Sequence, residues 1–421
     1  MRRGTVMLLA GVVLISACSK REERSASEEA EWNKIQPLDQ VKKRPDVSTN
    51  VVVKAVVQSK SEDYISLIAR MKQMNSIKRE KGEALLTGEG LIFNYKRRVV
   101  RMDGDVKVVD DRGILRAESL TGRFTEKNEV EIIEARRNVR ITSEGRIARA
   151  QRAEYMIATG AIELEGQASV SDQTHEMKGE RIFFWMKGGT RRIVCEPNAY
   201  LMMKGTSGLG QSQQVSSKTN STPRVTEVWA NRVVFDESKN LVEMEGNVRL
   251  RDKQAALNCG MVRIFLLGTN QIDRIEARVD VNAWSGLRKM RSDQAVYQSA
   301  TQDLVLTGNV RVSNEQATMD CETVHVYLKG TNEIDWIEAR TDVIIQSGER
   351  RALAGKASYY ADEGKVVLDE DPKMKQGKNI MMGDRITFWP DNRRMVCEPN
   401  ARLLLYPDEK TKLKFMKDLK K

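Results

Sequence analysis

Apolar and polar residues alternate in short stretches that recur along the chain. In VEMEGNVRL, residues 242–250, four apolar side chains alternate with Glu, Asn and Arg around a central glycine. Successive side chains of a strand point to opposite faces, so this pattern predicts a half-buried β-strand. Related stretches are VRMDGDVKV at 100–108, IELEGQASV at 162–170 and VLTGNVRV at 305–312.

The spacing of these stretches predicts a repeat. The central glycines Gly104, Gly166, Gly246 and Gly308 lie 62, 80 and 62 residues apart, and Glu370 stands a further 62 residues on. The step of 80 is one repeat plus an 18-residue insertion. An aromatic residue precedes each central position by eleven residues: Phe93, Tyr155, Phe235, Tyr297 and Tyr359. Register kept over five copies indicates repeated structural units.

A second recurring motif indicates where blocks of repeats end. IEAR occurs at 133–136, 275–278 and 337–340, and VCEPNA takes its place at 194–199 and 396–401. Proline cannot donate a ladder hydrogen bond and is confined to sheet edges, and Glu370, Asp371 and Pro372 replace G-x-V in the fifth copy. We therefore expect two domains, each with a modified last unit that discourages further strand addition.

The N-terminal residues predict a lipoprotein signal peptide. Arg2 and Arg3 precede an apolar run, Thr5 to Ile15, which is too short to span a bilayer. The run ends in Ile-Ser-Ala-Cys, which resembles a bacterial lipobox, with Cys18 as the lipidated N-terminus of the mature protein; an ordinary signal peptide with a chance cysteine is the alternative. Ser19 follows it, a pattern that resembles an outer-membrane destination rather than an inner-membrane one.

The rest of the chain divides by composition. Charged, Ser- and Pro-rich residues after the signal predict a disordered tether, and a Gly/Ser/Gln-rich stretch predicts a linker between the two domains. The predicted segments are 1–18 signal, 19–50 tether, 51–83 short strand and helix, 84–204 first domain with two repeats, 205–224 linker, 225–407 second domain with three repeats, and 408–421 basic tail.

The predicted fold is all-β. Each unit reads as about five short strands separated by polar turns, which in the third unit lie at 229–235, 241–250, 255–267, 272–277 and 279–284. Only Ser59 to Lys81 has a helical pattern. We expect a repeat-built, solenoid-like sandwich or jelly roll in two domains, with a short N-terminal helix.

The histidines and cysteines do not indicate a catalytic or metal-binding site. His175 and His325 stand at different repeat positions, so we expect structural roles for both. Cys259 and Cys321 occupy a position that holds Ala or Gly in other copies, and Cys195 and Cys397 replace an apolar Ile. These positions favour buried thiols, with a Cys259–Cys321 bridge as the alternative in an exported protein. No metal-ligand spacing occurs, and no cofactor is predicted.

The recurring glutamates do not indicate an enzyme. One stands in every IEAR or VCEP copy: Glu134, Glu196, Glu276, Glu338 and Glu398. A catalytic pair needs one differentiated site, so these carboxylates predict solvated ladders paired with Arg136, Arg278 and Arg340. We find no nucleophile elbow, phosphate loop or metalloprotease motif and predict no enzymatic activity.

The net charge of +11 raises the question of an anionic partner. Aromatic residues make up 5% of the chain, too few for base-stacking platforms, and an exported protein would rarely meet nucleic acid. An anionic lipid or glycan phosphate is the better counterpart, and a merely solvated basic surface is the alternative.

The repeats, such as AVYQSATQDLVLTGNVRV at 295–312, resemble the OstA-like (organic-solvent-tolerance) repeats of the LptA–LptC family. The resemblance covers roughly residues 84–405 and implies twisted β-jelly rolls whose apolar groove carries lipopolysaccharide acyl chains across the periplasm. It implies groove positions at Val106, Val108, Ile162, Leu164, Val248, Leu250, Val310 and Val312. Alternation alone does not separate groove from packed core.

The resemblance implies a membrane-anchored periplasmic protein that binds lipopolysaccharide or another anionic glycolipid and helps to move it toward the outer membrane. Other envelope transport proteins are the implied partners. A structural scaffold with a solid core is the principal alternative, because Val, Leu, Ile and Met rows suit either interior. The lipobox, the second domain and the altered fifth copy depart from the family pattern.

Overall fold

The computed structural model describes residues 51–55, 84–111, 113–173, 175–187, 190–205, 224–253, 255–267, 271–329, 333–389 and 394–406. The predicted signal with Cys18, the tether, the N-terminal helix, residues 206–223 of the linker and the basic tail lie outside them. The described residues form 27 strands and a one-turn 3-10 helix, Glu237–Lys239, and contain no helix that could cross a membrane. The predicted all-β class is confirmed.

The strands up to the linker are β1 Val51–Ala55, β2 Ala84–Gly88, β3 Gly90–Asn94, β4 Val99–Asp110, β5 Gly113–Phe124, β6 Val130–Ser143, β7 Arg146–Met156, β8 Ala161–Ser171, β9 His175–Lys187, β10 Thr190–Glu196 and β11 Ala199–Gly205. The strands after it are β12 Arg224–Ala230, β13 Arg232–Asp236, β14 Leu241–Arg251, β15 Ala255–Leu267, β16 Gln271–Ser285, β17 Arg288–Gln298, β18 Asp303–Ser313, β19 Thr318–Lys329, β20 Glu333–Ser347, β21 Arg350–Tyr360, β22 Lys365–Asp369, β23 Lys373–Gln376, β24 Asn379–Met382, β25 Arg385–Trp389, β26 Arg394–Cys397 and β27 Arg402–Leu404.

The chain forms two compact units. The described residues of the first unit lie before Lys204 and in Asn231–Leu241; those of the second lie in Lys204–Ala230 and from Val242 onward. Within each unit, successive strands pair antiparallel with their neighbours in sequence, as β4 does with β5 and β17 with β18. The linker boundary at 205–224 stays a prediction.

The recurring central glycine marks a bend inside a long strand. In β4, Gly104 and Asp105 have φ of 79° and 41°, and the register with β5 jumps from Asp103 to Val106. The half-strand before the bend pairs with β3, and the half after it pairs with β2. In each unit, limb 1 is the half-sheet that contains the part of β4 before its bend, or the equivalent part of a later copy, together with the half-strands paired to it. Limb 2 is the half-sheet that contains the part after the bend and its paired half-strands.

The bends at the central glycines of the third and fourth copies use residues that adopt the left-handed conformation readily. Gly246–Asn247 and Gly308–Asn309 have φ between 48° and 77°, a region open to glycine and tolerated by asparagine. Glu370 and Asp371 adopt 64° and 58°. The fifth copy therefore keeps the bend without glycine, so the substitutions there do not abolish the repeat geometry.

The same bends correct the predicted strand count. The stretches 272–277 and 279–284 form one strand, β16, which bends at Val279 and Asp280 with φ of 67° and 49°. A two-residue left-handed bend looks like a turn between strands when only alternation is considered. The first, third and fourth copies therefore contribute four long bent strands each, such as β14 to β17, rather than five short ones, whereas the fifth copy consists of the short strands β22 to β27.

The first proline motif lies at a bend and does not close an edge. Pro197 and Asn198 separate β10 from β11, and Asn198 has φ of 56°. Strand β10 pairs with β9 on one side and with β13 on the other, where Cys195 faces Val233. The edge-blocking interpretation of Pro197 is therefore wrong: the residue that lacks an N–H stands where the ladder is already interrupted.

We expect Gly308→Ala to destabilise the second unit by about 2–4 kcal/mol, because it adds a clash to the cost of a left-handed alanine. A Cβ at Gly308 would lie 2.8 Å from Cβ and Cγ of Asp293, whose carboxylate accepts a hydrogen bond from Asn309. The matched control is Gly348→Ala, where φ is 55° but a Cβ meets no atom within 4 Å. Chemical denaturation of both variants measures the difference, and equal losses would show that the bend is not sterically closed.

Candidate functional site

The bend brings two apolar half-sheets face to face. In the first unit, Met102 and Leu120 of limb 1 form a buried cluster with Val106 of limb 2. Leu115, Val108 and Ile133 pack against this cluster from both limbs. Because the limbs meet at the bend, the inward side chains form successive rows, from the bend outward to the free ends of the half-strands.

The innermost row is closed. We call the inward residues next to the bend the floor row; in limb 1 of the first unit, cross-strand pairing connects them in register. Each of these residues is at most 4% exposed. They are Met102, Leu120, Ala135, Ala153, Leu164, Ile182, Cys195 and Val233.

The next row outward is more open. We call these inward residues the rim row, and in limb 2 of the first unit six of them on adjacent strands are half-buried: Val108, Leu115, Ile141, Ala148, Val170 and Met177. In the second unit, Met290, Val312, Met319 and Ile345 form a similar half-buried run. In these two runs the interior therefore forms an apolar cleft with a packed floor and a partly exposed rim, whereas in limb 1 of the second unit the rim-row residues Ile264, Ile275 and Leu304 are buried.

The eight positions implied by the family resemblance divide between these rows. Val106, Leu164, Val248 and Val310 lie in the floor row and are at most 1% exposed. Val108, Ile162 and Val312 lie in the rim row and are half-buried, whereas Leu250 lies in the rim row and is 2% exposed. All eight point inward, and three of them keep part of their surface exposed, so their assignment to a lipid groove stays a prediction.

Sequence reasoning missed the aromatic part of the rim. Tyr155 pairs with Ile133 and Ile162, and Tyr297 pairs with Ile275 and Leu304, so both rings lie on the inward face. Tyr359 occupies the same place in the next copy, and all three are half-buried. The fixed spacing of these aromatics before each glycine carried the signal, because a residue in register with inward neighbours shares their face.

The floor row holds no group suited to acid–base work at neutral pH. Cys259 and Cys321 are free and buried, which confirms the thiol interpretation, and burial raises the pKa of each to about 12. Ser292 is 1% exposed, and its hydroxyl has no hydrogen-bond partner within the described residues. No three His, Cys, Asp or Glu side chains of the described ranges converge as a metal site.

The histidines lie away from the cleft floor. His175 begins β9, and its Nδ1 lies 3.3 Å from Oδ1 of Asp172 in the preceding turn. His325 pairs with Glu338 across β19 and β20, and its ring stacks on Tyr327 at 6.1 Å. Both positions fit the structural roles predicted for them.

Three of the five repeated glutamates are buried, so the predicted solvation is wrong for these three, whereas Glu196 is half-buried and Glu398 is exposed. Glu134, Glu276 and Glu338 are 7–8% exposed on the outward face of limb 1. The predicted partners are correct: Arg136, Arg278 and Arg340 lie 2.9, 3.1 and 2.5 Å from them. Long basic side chains from the same and adjacent strands cover the carboxylates, which the spacing of IEAR alone does not reveal.

One arginine joins three carboxylates of this lattice. Arg152 in β7 bonds to Glu134 and Glu154 and reaches Glu165 at 3.0 Å. Burial opposes ionisation of Glu134, but hydrogen bonds from Arg152 and Arg136 lower the pKa of its carboxyl. Lys356 and Arg340 do the same for Glu338. These charges are therefore arranged as a lattice of ion pairs on the outward face of limb 1.

We expect Arg152→Met to reduce stability by about 2–3 kcal/mol at neutral pH, since it leaves a buried carboxylate short of partners. The control Arg137→Met removes an exposed pair with Glu118 and should cost less than about 1 kcal/mol. Because the folded pKa of Glu134 is lowered, its ionic stabilisation is present above the ordinary value of 4.5 and disappears as pH falls through the lowered pKa. Denaturation at neutral and acidic pH should show the two variants converging; a constant gap would contradict the ion-pair origin.

Comparison with known proteins supports the repeat interpretation. Residues 86–190 and 289–393 each match the family described as LptA/(LptD N-terminal domain) LPS transport protein. No curated protein matches the chain. Among solved structures, the chain is similar to LptH, the LptA homologous periplasmic component of the lipopolysaccharide transport device from Pseudomonas aeruginosa, with 14% identity and a TM-score of 0.27. That match covers 28% of this chain and 95% of LptH.

The two family matches lie one in each compact unit, and each spans the bent strands, the floor row and the rim row described above. The chain therefore belongs to the LptA/LptD N-terminal domain family of lipopolysaccharide transport proteins, as the sequence of its repeats predicted.

Proposed function

We propose that this protein holds the acyl chains of lipopolysaccharide, or of a related anionic glycolipid, between the rim rows of its two limbs and passes them toward the outer membrane. Membership of a lipopolysaccharide transport family supports the class of cargo. The proposal involves no chemical step, since the cleft lining offers apolar contact and not reactive groups.

The half-buried rim rows carry the proposal. A closed core would bury the rim as completely as the floor, yet Val108, Ile162 and Val312 keep part of their surface open while the adjacent floor residues do not. Apolar clefts with few polar groups are typical of sites that enclose lipid-like ligands. Methionines such as Met177 and Met319 suit varied apolar partners, because their side chains are flexible and polarisable.

The floor rows have a different role in this proposal. Val106, Leu164, Val248 and Val310 hold the limbs together and set the depth to which a chain can enter. The implied groove positions therefore act in two ways, as a packed base and as an accessible wall. The scaffold alternative is favoured at Leu250 and its neighbours Leu257 and Ala283, where the rim is closed as well.

We further propose that Cys18 anchors the protein by acyl chains, with the outer membrane as the favoured site. Two or more acyl chains give stable anchoring. A coil of the length of residues 19–50 averages roughly 30 Å end to end, so the first unit would stay near the bilayer. Other envelope transport proteins are the proposed partners for receiving and releasing cargo.

Paired substitutions test the cargo proposal. Val312→Asp, at the rim, should leave the fold largely intact and lower binding of a fluorescent acyl probe by at least about tenfold, because a carboxylate there would be buried by cargo. Val310→Asp, two residues away in the floor, should cost several kcal/mol and unfold the second unit. Probe titration, displacement by purified lipopolysaccharide and thermal melting measure both effects.

Photo-crosslinking supplies the control for folding. A crosslinker at Val312 should capture lipid in cells, whereas one at the adjacent Arg311, whose side chain points outward and lies outside the first unit, should not. Equal capture at inward and outward positions, or no capture at either, would favour the scaffold alternative.

The anchor has its own test. Mass spectrometry of the mature N-terminus should find an acylated Cys18, and Cys18→Ser should accumulate as unprocessed precursor. An unmodified N-terminus at another residue would exclude the lipoprotein proposal without affecting the cargo proposal.

A further inference from the structure

A row of cations crosses the outward face of limb 2 in the first unit. Lys107 of β4 pairs with Arg116 of β5, Arg116 with Arg140 of β6, and Arg140 with Arg149 of β7. Direct cross-strand partners share a face, and their inward neighbours, such as Val108 and Ile141, belong to the rim row. We call these four residues the basic row.

The basic row is not neutralised by the protein. Like charges directly opposite one another on adjacent strands destabilise a sheet. No carboxylate in the described part of the chain forms an ion pair with these four side chains, three of which are exposed. The nearby Glu118 is occupied by Arg137 at 2.7 Å and by Asn138 at 2.6 Å.

The same unit shows that neutralisation is available elsewhere. On the outward face of limb 1, Arg152 and Arg136 meet buried carboxylates on their own or adjacent strands. Four unpaired cations in register on limb 2 therefore stand out against a neutralised lattice a few residues away. An unpaired row that costs stability is expected where an anionic partner compensates the charge.

A second, mainly apolar row lies beside the basic row on the same surface. Two residues farther from the bend along each of the same four strands, the outward face carries another row of cross-strand partners: Val109, Ile114, Thr142 and Ile147. All four are half-buried. Adjacent basic and mainly apolar side chains combine the two attractions that hold amphipathic segments at the headgroups of an anionic bilayer.

We propose that the basic row docks the first unit onto an anionic bilayer surface. Three strand spacings place the four cations along about 14 Å, a length that can contact several headgroups at once. The row faces away from the cleft, so it is not placed to bind the headgroup of cargo held between the rims. It also lies in the unit that follows the predicted tether. The proposal does not depend on acyl-chain binding.

Vesicle binding tests the proposal with the chain from Ser19 onward, which keeps every described residue and lacks the predicted anchor cysteine. It should bind phosphatidylglycerol-containing vesicles, release them as salt rises, and leave pure phosphatidylcholine vesicles unbound. Each Lys or Arg near an anionic surface contributes about fivefold in affinity, so a triple Arg116→Gln, Arg140→Gln, Arg149→Gln variant should lose on the order of 100-fold.

The matched control is Arg288→Gln, Arg350→Gln, Arg351→Gln in the second unit, which removes the same charge from exposed positions. It should retain most of the affinity. The basic-row variant should also melt at a higher temperature than the wild type, because its cross-strand repulsion is relieved. The single variant Arg140→Gln, with an expected loss of about fivefold, provides a milder test.

Three results would overturn the proposal. Equal losses in the two triple variants would show an effect of net charge alone. Equal binding to neutral and anionic vesicles would exclude headgroup recognition. Binding of a soluble phosphorylated polysaccharide through the basic row, without binding of vesicles, would assign the surface to a glycan. Acyl-probe binding measured on the same variants should be unchanged, which separates this proposal from the cargo proposal.

Discussion

Most of this architecture depends on a two-residue left-handed bend in the middle of long antiparallel strands. Without the bend, alternation would produce a flat sheet with one apolar face and no apolar surface to cover it. With it, each long strand contributes one half to each limb, and the apolar faces of the two limbs oppose each other. The bend also fixes register, because bulged residues interrupt the ladder at the same level in adjacent strands.

The inward-facing residues could be predicted from the sequence, because successive side chains of a strand point to opposite faces and the apolar residues alternate with polar ones. Val248 and Val310 were placed inward from period two alone, and both are buried. The bend was not predicted, because Gly246–Asn247 looks equally like an interruption within a strand or a turn between strands. The depth of each inward residue was not predicted either, since Val310 and Val312 differ only in their distance from a bend that the alternation does not reveal.

The outward faces show what only strand register can reveal. Lys107, Arg116, Arg140 and Arg149 are scattered over 43 positions of the chain, and no local motif connects them. Antiparallel pairing places them side by side. The glutamates of IEAR show the reverse case: a visible motif suggested exposed ladders, but Arg152 of the next strand covers Glu134 and changes its environment. Local sequence specifies which residues are charged, whereas register determines whether the charges are paired.

A cleft built from bent strands can be lengthened without changing its cross-section. Four strands per repeat add about 19 Å along the sheet, more than the roughly 15 Å that an acyl chain spans in one leaflet of a bilayer. One repeat is thus long enough for an acyl chain bound lengthwise in the cleft, as proposed. The depth of the cleft is limited separately by the floor row. Length and depth are therefore set by different features, the number of strands and the size of side chains such as Met102 and Leu164 beside the bend. On this basis, a larger side chain in the floor row should reduce the depth of the cleft at one copy of the repeat and leave the depth at the neighbouring copies unchanged.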